Sequence, residues 1–297
     1  MLSFLPSFIL FPIGVVLLSL NLAFAGSTLF IGGIFKLLLP FASVHRKILV
    51  VMNGIFRLWA LNNYLVIMLL NKTTWTIKGD EGLNRESWYL LIANHISWLD
   101  IFVVAHVARK RIPEPKFFLK EELKKVPFIG IGCWALDMPF MKRYSRSFIE
   151  KNPHLKGKDI ETTKKSCERY KLAPTTIINF VEGTRITESK HKQQQSPFRN
   201  LLKPKAGGIA FTLATMGEQF DKVLNVTICY PGTEGHTMKR LLSGKLTEVV
   251  VDIEQIDVTD EIVGNYFEDE SFQASFQTWL NDLWLRKDAN IDKWMGR

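Results

Sequence analysis

A histidine and an aspartate lie five positions apart in the stretch ANHISWLD, directly after a run of large apolar residues. If the chain turns sharply after that run, the carboxylate of Asp100 can accept a hydrogen bond from one ring nitrogen of His95 while the other nitrogen faces a cleft. Such a pair acts as a general base, which typically accelerates the attack of an alcohol about 10²- to 10⁴-fold. The segment from Ser97 to Asp100 also fits a capping box, so Asp100 could serve only to cap a helix.

A second stretch, IINFVEGTR at 177–185, repeats this layout of an apolar run that ends in polar residues. Gly183 permits a tight turn, Thr184 offers a hydroxyl, and Arg185 carries a fork of N–H donors suited to a phosphate. A turn of this kind can also be purely structural. The other histidines have no HxH or HxxxH spacing with His95, and the cysteines have no CxxC spacing, so we expect neither a metal site nor a disulfide.

The elements around these residues alternate in type along the chain. Runs of β-branched and large apolar residues predict strands at 88–93, 175–181, 223–230 and 246–256. Apolar residues at three- and four-residue spacing predict helices at 97–108, 120–135, 158–172, 208–216 and 271–288. Alternating strands and helices imply an α/β fold with a mixed, largely parallel sheet flanked by helices. In such sheets ligands bind beyond the carboxyl ends of the strands, where both polar stretches are expected.

The N-terminal segment contains no Asp, Glu, Lys or Arg before Lys36, and residues 2–35 are apolar apart from a few Ser, Thr and Asn. This length exceeds the roughly 20 residues that cross a bilayer. A cleaved signal peptide is the alternative, because Ala23-Phe24-Ala25 has the small residues of a cleavage site. The segment lacks a basic region ahead of the apolar run, and the run continues past Ala25, so we interpret it as an uncleaved membrane anchor.

Charged residues around this segment predict its orientation. Basic residues at 36, 46 and 47 follow it and none precedes it, which puts the N-terminus across the membrane and the C-terminal side in the cytoplasm. Residues 48–70 form a second apolar stretch that Arg57 interrupts, and we interpret it as an interfacial or second membrane helix. The predicted organisation is an anchor at 1–72, with one span plus that second helix, followed by an α/β domain at 73–297.

The formal net charge of +9 indicates an anionic partner, which could be nucleic acid, a phospholipid surface or a phosphorylated small molecule. No nucleic-acid recognition motif is visible in the sequence, and a nucleic-acid role conflicts with the anchor. We therefore expect a lipid or a phosphorylated small molecule as partner, and no nucleic acid.

The two polar stretches together resemble motifs of a known family. HxxxxD at His95 to Asp100, followed by FVEGTR at Phe180 to Arg185, resembles the glycerolipid acyltransferases, that is the 1-acylglycerol-3-phosphate acyltransferases and their relatives, including bacterial inner-membrane members. Many members have proline where this chain has Val181. Further segments resemble family motifs in the expected order, at 140–143, 203–208 and 223–231.

The resemblance implies a membrane-bound O-acyltransferase that moves a fatty acyl group from acyl-CoA or acyl carrier protein to the hydroxyl of 1-acylglycerol-3-phosphate, giving phosphatidic acid. It implies that His95 is the general base, that Asp100 is its orienting partner, and that no cofactor is needed. It also implies a location in the bacterial inner membrane, with the acyltransferase domain at 73–297 facing the cytoplasm. The residues that it assigns to binding of the acceptor phosphate are Lys142, Arg143, Glu182, Gly183, Thr184 and Arg185.

Two alternatives stay open at this point. The same residues could serve a lysophospholipid acyltransferase that remodels finished phospholipids, for example by acylating lysophosphatidylglycerol. A chain that kept the fold without the activity would be a membrane-bound scaffold, although it would have no reason to retain the whole set of motif residues.

Overall fold

The computed structural model describes residues 2–39, 41–138, 140–141, 170–171, 173–233 and 235–297. Its α-helices are α1 (Ser7–Leu38), α2 (Ala42–Leu70), α3 (Leu99–Arg111), α4 (Ile129–Ala135), α5 (Glu188–Gln194), α6 (Ala206–Met216), α7 (Thr237–Leu242) and α8 (Glu270–Trp294). Its strands are β1 (Thr74–Lys78), β2 (Tyr89–Ala93), β3 (Pro115–Phe117), β4 (Leu119–Lys120), β5 (Phe140–Met141), β6 (Thr176–Phe180), β7 (Lys222–Cys229) and β8 (Glu248–Asp257).

One sheet has the strand order β1-β8-β7-β2-β6-β3. Strands β7, β2, β6 and β3 run parallel, whereas β8 pairs antiparallel with β7 and parallel with β1. The sheet is therefore mixed and largely parallel, as predicted. Ala93 at the end of β2 is level with Phe180 of β6 and with Val226 of β7. The carboxyl end of β2 thus lies directly beside the chain that leaves β6.

Buried side chains form two clusters, one on each face of the sheet. Successive residues of a strand point to opposite faces, and Leu90 and Leu91 of β2 accordingly belong to different clusters. Helices α6 and α8 pack on one face, where Phe276 and Trp284 of α8 are fully buried. Helices α2 and α3 pack on the other face, so the N-terminal helices share a core with the sheet.

The four predicted strands agree with β2, β6, β7 and β8 to within two residues. The predicted helix at 120–135 is corrected, because a 3-10 helix, Glu121–Lys125, ends before Pro127 and α4 begins after it. Proline lacks an N–H group and disfavours a helical conformation in the residue before it. The predicted helix at 158–172 lies outside the described residues, except at 170–171.

Helices α1 and α2 pack against each other, and both are long and apolar enough to cross a membrane. Both ends of α1 are also bonded to the domain that follows. The hydroxyl of Ser7 donates to the carbonyl oxygen of Ser243 at 2.9 Å, and the ammonium of Lys36 lies 2.5 Å from the carboxylate of Asp137. The α/β domain therefore contacts α1 near both of its ends.

This packing bears on the predicted topology of the N-terminal segment, which stays a prediction. A helix of 32 residues is about 48 Å long, which is enough to cross a bilayer. The outer face of the α1–α2 pair indicates association with a membrane, because a large contiguous apolar surface on a protein is typical of an interaction site. Large apolar side chains exposed there include Phe8, Leu20, Phe24, Ile31 and Leu38 of α1 and Val50, Val51 and Leu65 of α2.

The predicted boundary near residue 72 falls between the end of α2 and the start of β1. Because α2 packs in the same core as the sheet, the division of the chain into an anchor and a separate catalytic domain stays a prediction.

Candidate active site

The turn that follows β2 is held by Asn94, a residue that the sequence analysis did not single out. Its buried side chain pairs with the backbone of Ile228 on β7, where Nδ2 donates to the carbonyl oxygen and Oδ1 accepts from the N–H group, each at 2.9 Å. A side-chain amide can thus satisfy both backbone groups of a strand residue. The next residue, His95, consequently lies at the edge where parallel strands end.

His95 and Asp100 form the hydrogen-bonded pair that their spacing predicts. Nδ1 of His95 lies 2.8 Å from Oδ2 of Asp100, which is fully buried at the start of α3. The same oxygen accepts the N–H groups of Ile96 and Ser97 at 2.6 and 2.8 Å. The His95 ring stacks on Phe180, with centroids 4.1 Å apart. These contacts put the proton of neutral His95 on Nδ1 and leave Nε2 as the basic nitrogen.

The second oxygen of Asp100 has a partner from a distant part of the chain. Tyr230 follows β7, and its hydroxyl donates to Oδ1 at 2.6 Å. Burial, together with the neighbouring carboxylate, raises the pKa of Tyr230 well above its ordinary value, so the hydroxyl keeps its proton. The sequence carried no local signal for this contact, because 130 positions separate the two residues.

Glu182 lies beneath the turn and not at the surface of the site. It is 1% exposed, and its two carboxylate oxygens accept the N–H groups of His95 and Leu202 at 3.2 and 3.3 Å. Burial raises the pKa of Glu182 to about 8, although these N–H groups and the nearby Lys287 lower it. Burial in turn lowers the pKa of Lys287 to about 7. In the structure the carboxylate of Glu182 holds the backbone of His95, and its expected contact with the acceptor stays a prediction.

Gly183, Thr184 and Arg185 line the same cavity as His95. Gly183 has a φ of 70°, a left-handed conformation that glycine adopts readily. Lys190, which the sequence analysis did not identify, donates from Nζ to the hydroxyl of Thr184 at 2.7 Å and to the carbonyl oxygen of Arg185 at 3.0 Å. The guanidinium of Arg185 lies 4.7 Å from the centroid of the Trp98 ring, within range of a cation–π interaction.

Two predicted phosphate-binding residues, Lys142 and Arg143, lie outside the described residues. Among the residues that are described, Lys120 and Lys205 add positive charge to the lining of the cavity. Nowhere in that part of the chain do three His, Cys, Asp or Glu side chains form a group that could hold a metal ion.

The cavity that joins these groups has a volume of about 1080 Å³. Beside its basic residues, most of its lining is apolar and comes from α1, α2, α4 and the segment between β4 and α4. Gly208 of α6 also lines it, and a side chain at that position would come within 2.9 Å of Nδ2 of Asn179. The apolar part of the lining includes Leu22 and Leu29 of α1, Phe56 and Trp59 of α2, and Leu123, Phe128 and Ile129 near α4.

The chain is similar to curated proteins of two kinds. It is 29% identical over 229 residues to 1-acyl-sn-glycerol-3-phosphate acyltransferase 2 of Brassica oleracea, an alignment that covers 72% of this chain and 54% of the relative. It is 24% identical over 281 residues to lysocardiolipin acyltransferase 1 of Danio rerio, which covers 90% of this chain and 67% of the relative. The chain thus spans about half the length of the plant relative that it matches.

A solved structure has the same fold. The crystal structure of the 1-acyl-sn-glycerophosphate (LPA) acyltransferase PlsC from Thermotoga maritima superposes with a TM-score of 0.59 at 16% identity, over 98% of this chain and 97% of that one. The acyltransferase family model matches residues 74–230, from the first strand to the tyrosine that bonds Asp100. That match takes in more than half of the 297 residues, and the chain belongs to the acyltransferase family.

Proposed function

We propose that this protein is a membrane-bound O-acyltransferase that moves a fatty acyl group from acyl-CoA or acyl carrier protein to the hydroxyl of 1-acylglycerol-3-phosphate, giving phosphatidic acid. The observation that carries the proposal is the hydrogen bond between His95 and Asp100 at the wall of a large, mostly apolar cavity. An imidazole oriented by a buried carboxylate is suited to remove the proton of an alcohol. The apolar lining suits a fatty acyl chain.

In the proposed reaction, Nε2 of His95 takes the proton of the acceptor hydroxyl as the oxygen attacks the carbonyl carbon of the thioester. The ester C–O bond forms, the C–S bond breaks as the tetrahedral intermediate collapses, and the imidazolium gives its proton to the leaving thiolate. Asp100 stabilises the imidazolium between the two proton transfers. These steps use side chains of this chain alone and need no cofactor.

Arg185 is the described residue best suited to hold the phosphate of the acceptor. Its guanidinium lies over the Trp98 ring, and among the described residues its N–H groups have no hydrogen-bond partner, so they can make a bidentate contact. Thr184 and Gly183 line the cavity beside it. We assign Lys142 and Arg143 to the same phosphate on the strength of the sequence motif alone.

The proposed location is the bacterial inner membrane, with the active site open to the cytoplasm. The apolar outer face of α1 and α2 supports contact with a bilayer. Both possible donors are water-soluble thioesters, whereas the acceptor and product are lipids, so a site at the surface of the membrane can be reached by both.

A second candidate function is the remodelling of finished lysophospholipids with the same residues. The observation that favours it is the alignment with the Danio rerio lysocardiolipin acyltransferase, which covers more of this chain than the plant alignment does. A scaffold role is less consistent with the site, because the orienting hydrogen bond of the His95–Asp100 pair is intact.

The experiment that tests the proposal is product analysis with the full-length protein in vesicles. Mixed acyl-CoAs or acyl carrier proteins are supplied with a panel of lysolipids, and the products are identified by mass spectrometry. We expect phosphatidic acid from 1-acylglycerol-3-phosphate, and none from the His95→Ala variant. Acylation of another lysolipid in preference would favour remodelling, and no acylation by folded wild-type protein would contradict both functions.

A further inference from the structure

Tyr230 contacts the candidate catalytic pair from the far side of Asp100. It directly follows the last residue of β7, is 3% exposed, and donates its hydroxyl proton to Oδ1 of Asp100 at 2.6 Å. An ionised carboxylate only accepts hydrogen bonds, so the phenol must be the donor. The bond therefore joins the central sheet to the first turn of α3 at the residue that orients His95.

The hydrogen-bond donors around Asp100 are divided between its two oxygens. Oδ2 accepts hydrogen bonds from Nδ1 of His95 and from the N–H groups of Ile96 and Ser97, all in the adjacent stretch of chain. In the part of the chain that the structure describes, Oδ1 has Tyr230 as its hydrogen-bond partner. A fully buried carboxyl group needs hydrogen-bond partners for both oxygens, and two oxygens held from opposite sides cannot rotate.

We propose that Tyr230 is a positioning residue of the acyl-transfer reaction, which holds the Asp100 carboxylate in place and sets the basicity of His95. The inference rests on the proposed function, since His95 is assigned as base there. A hydrogen bond from Tyr230 withdraws negative charge from the carboxylate, and this weakens the stabilisation of the imidazolium by Asp100. Loss of the hydroxyl should therefore make His95 more basic and the ring less well oriented.

Other ionisable groups also affect the pKa of His95, and the test must leave them unchanged. These groups lie on the described elements that pack around His95 and Asp100. Glu182 accepts the N–H group of His95 and is in turn influenced by Lys287 of α8. The titratable side chains that line the cavity with His95 are Lys120, Cys133, Arg185 and Lys205.

The alternative role for Tyr230 is simple attachment of β7 to α3. Such a role predicts a loss of stability when the hydroxyl is removed but no change in the pKa of His95. Tyr89 provides a matched control, because it is equally buried at the other end of the neighbouring strand, where its hydroxyl accepts the N–H group of Asn84. Tyr89→Phe removes a buried phenol hydroxyl without touching Asp100.

The test measures the pKa of His95 by NMR titration of the ring nitrogens in full-length protein labelled with ¹⁵N-histidine, with His95→Gln for assignment. We expect Tyr230→Phe to raise the pKa of His95 by about one unit. Activity assays should show kcat about tenfold lower, unchanged KM for both substrates, and an acidic limb of the pH profile at higher pH. Tyr89→Phe should change none of these.

Replacement of Tyr230 by 3-fluorotyrosine tests the inference if Tyr230→Phe fails to fold. Fluorine makes the phenol a stronger donor, so the pKa of His95 should then fall. An unchanged pKa of His95 in a folded protein with either replacement would overturn the inference. The NMR titration does not depend on turnover, so an inactive wild-type protein would count against the proposed function and not against the link between Tyr230 and His95.

Discussion

Oδ2 of Asp100, which lies 2.8 Å from Nδ1 of His95, also accepts the N–H groups of Ile96 and Ser97 in the turn before α3. Stabilisation of this turn and orientation of the imidazole are therefore two contacts of one oxygen, and the catalytic role of the pair stays a proposal. The other oxygen is committed to Tyr230. A replacement at Asp100 that still accepts the two backbone N–H groups can accordingly separate structure from chemistry.

Asp100→Asn is the replacement that makes this separation. Its amide oxygen can still accept the N–H groups of Ile96 and Ser97, so we expect a folded protein with a thermal midpoint close to that of the wild type. It carries no charge to stabilise the imidazolium, and kcat should fall by about 10²- to 10⁴-fold. A double variant with His95→Ala should be little slower than His95→Ala alone. Near-normal turnover of Asp100→Asn would mean that Asp100 only stabilises the turn and has no role in catalysis.

Arg185→Ala tests the acceptor site. Loss of a charge-assisted hydrogen bond to phosphate should raise KM for 1-acylglycerol-3-phosphate about 10- to 100-fold, with a smaller change in KM for the acyl donor. Arg286→Ala is the matched control: it removes an exposed arginine of α8 that pairs with Glu254 of β8, and it should leave both values unchanged. A rise in KM for the acyl donor alone would mean that Arg185 binds the phosphates of CoA and not the acceptor phosphate.

Glu182→Gln should change how stability depends on pH. The pKa of Glu182 is raised from 4.5 to about 8, so the folded state binds this proton more tightly than the unfolded state does. The stability that the proton contributes is fully present below pH 4.5 and is lost as pH rises through 8. Glutamine does not titrate. The melting temperature of the wild type, relative to that of the variant, should therefore be lower at pH 8.5 than at pH 5. A difference independent of pH would mean that Glu182 is already ionised at acidic pH.

Gly26→Val tests the contact of α1 with α4. A Cβ atom at Gly26 would lie 2.7 Å from Cβ and 2.9 Å from Cα of Phe128, so α1 must move away from the wall of the cavity. We expect a loss of about 1 to 3 kcal/mol in stability, measured by thermal or denaturant unfolding in micelles. On α2, none of the described residues comes within 4 Å of the Cβ position of Gly54, and Gly54→Ala should be neutral or stabilising by up to about 1 kcal/mol.

Single cysteines can locate the N-terminus relative to the domain. In a background without the native cysteines, Ser3→Cys and Glu188→Cys should react with an impermeant thiol reagent from the same side of sealed vesicles, because both ends of α1 are bonded to the domain. Labelling of the two positions from opposite sides would support the single crossing that the charge pattern predicts.

The sequence predicted the parts of the fold and site that short stretches of chain encode. The central strands are continuous apolar runs, and His95 and Asp100 meet across a single turn, so periodicity and spacing were sufficient for both. Short edge strands such as β3 and β4 have too few residues to show a period.

Long-range contacts were beyond such reasoning, because they depend on how the elements pack. Glu182 reaches the backbone of His95 across 87 positions, and no pattern in the sequence distinguishes a carboxylate under a turn from one that faces a ligand. The attachment of α1 at Ser243 and Asp137 was equally hidden, since apolar composition describes a helix in a bilayer and a helix against a protein alike.

Helices α1 and α2 wall the cavity on one side and carry the apolar outer face on the other. If the proposed lysolipid is the acceptor, it would approach by lateral diffusion, with its hydrocarbon tail remaining in the bilayer. The substrate concentration that sets the rate of such an enzyme is the mole fraction of the acceptor among the lipids of the membrane. Inert detergent or phospholipid added at constant total acceptor should slow turnover by dilution within that surface, although nothing in the aqueous phase has changed.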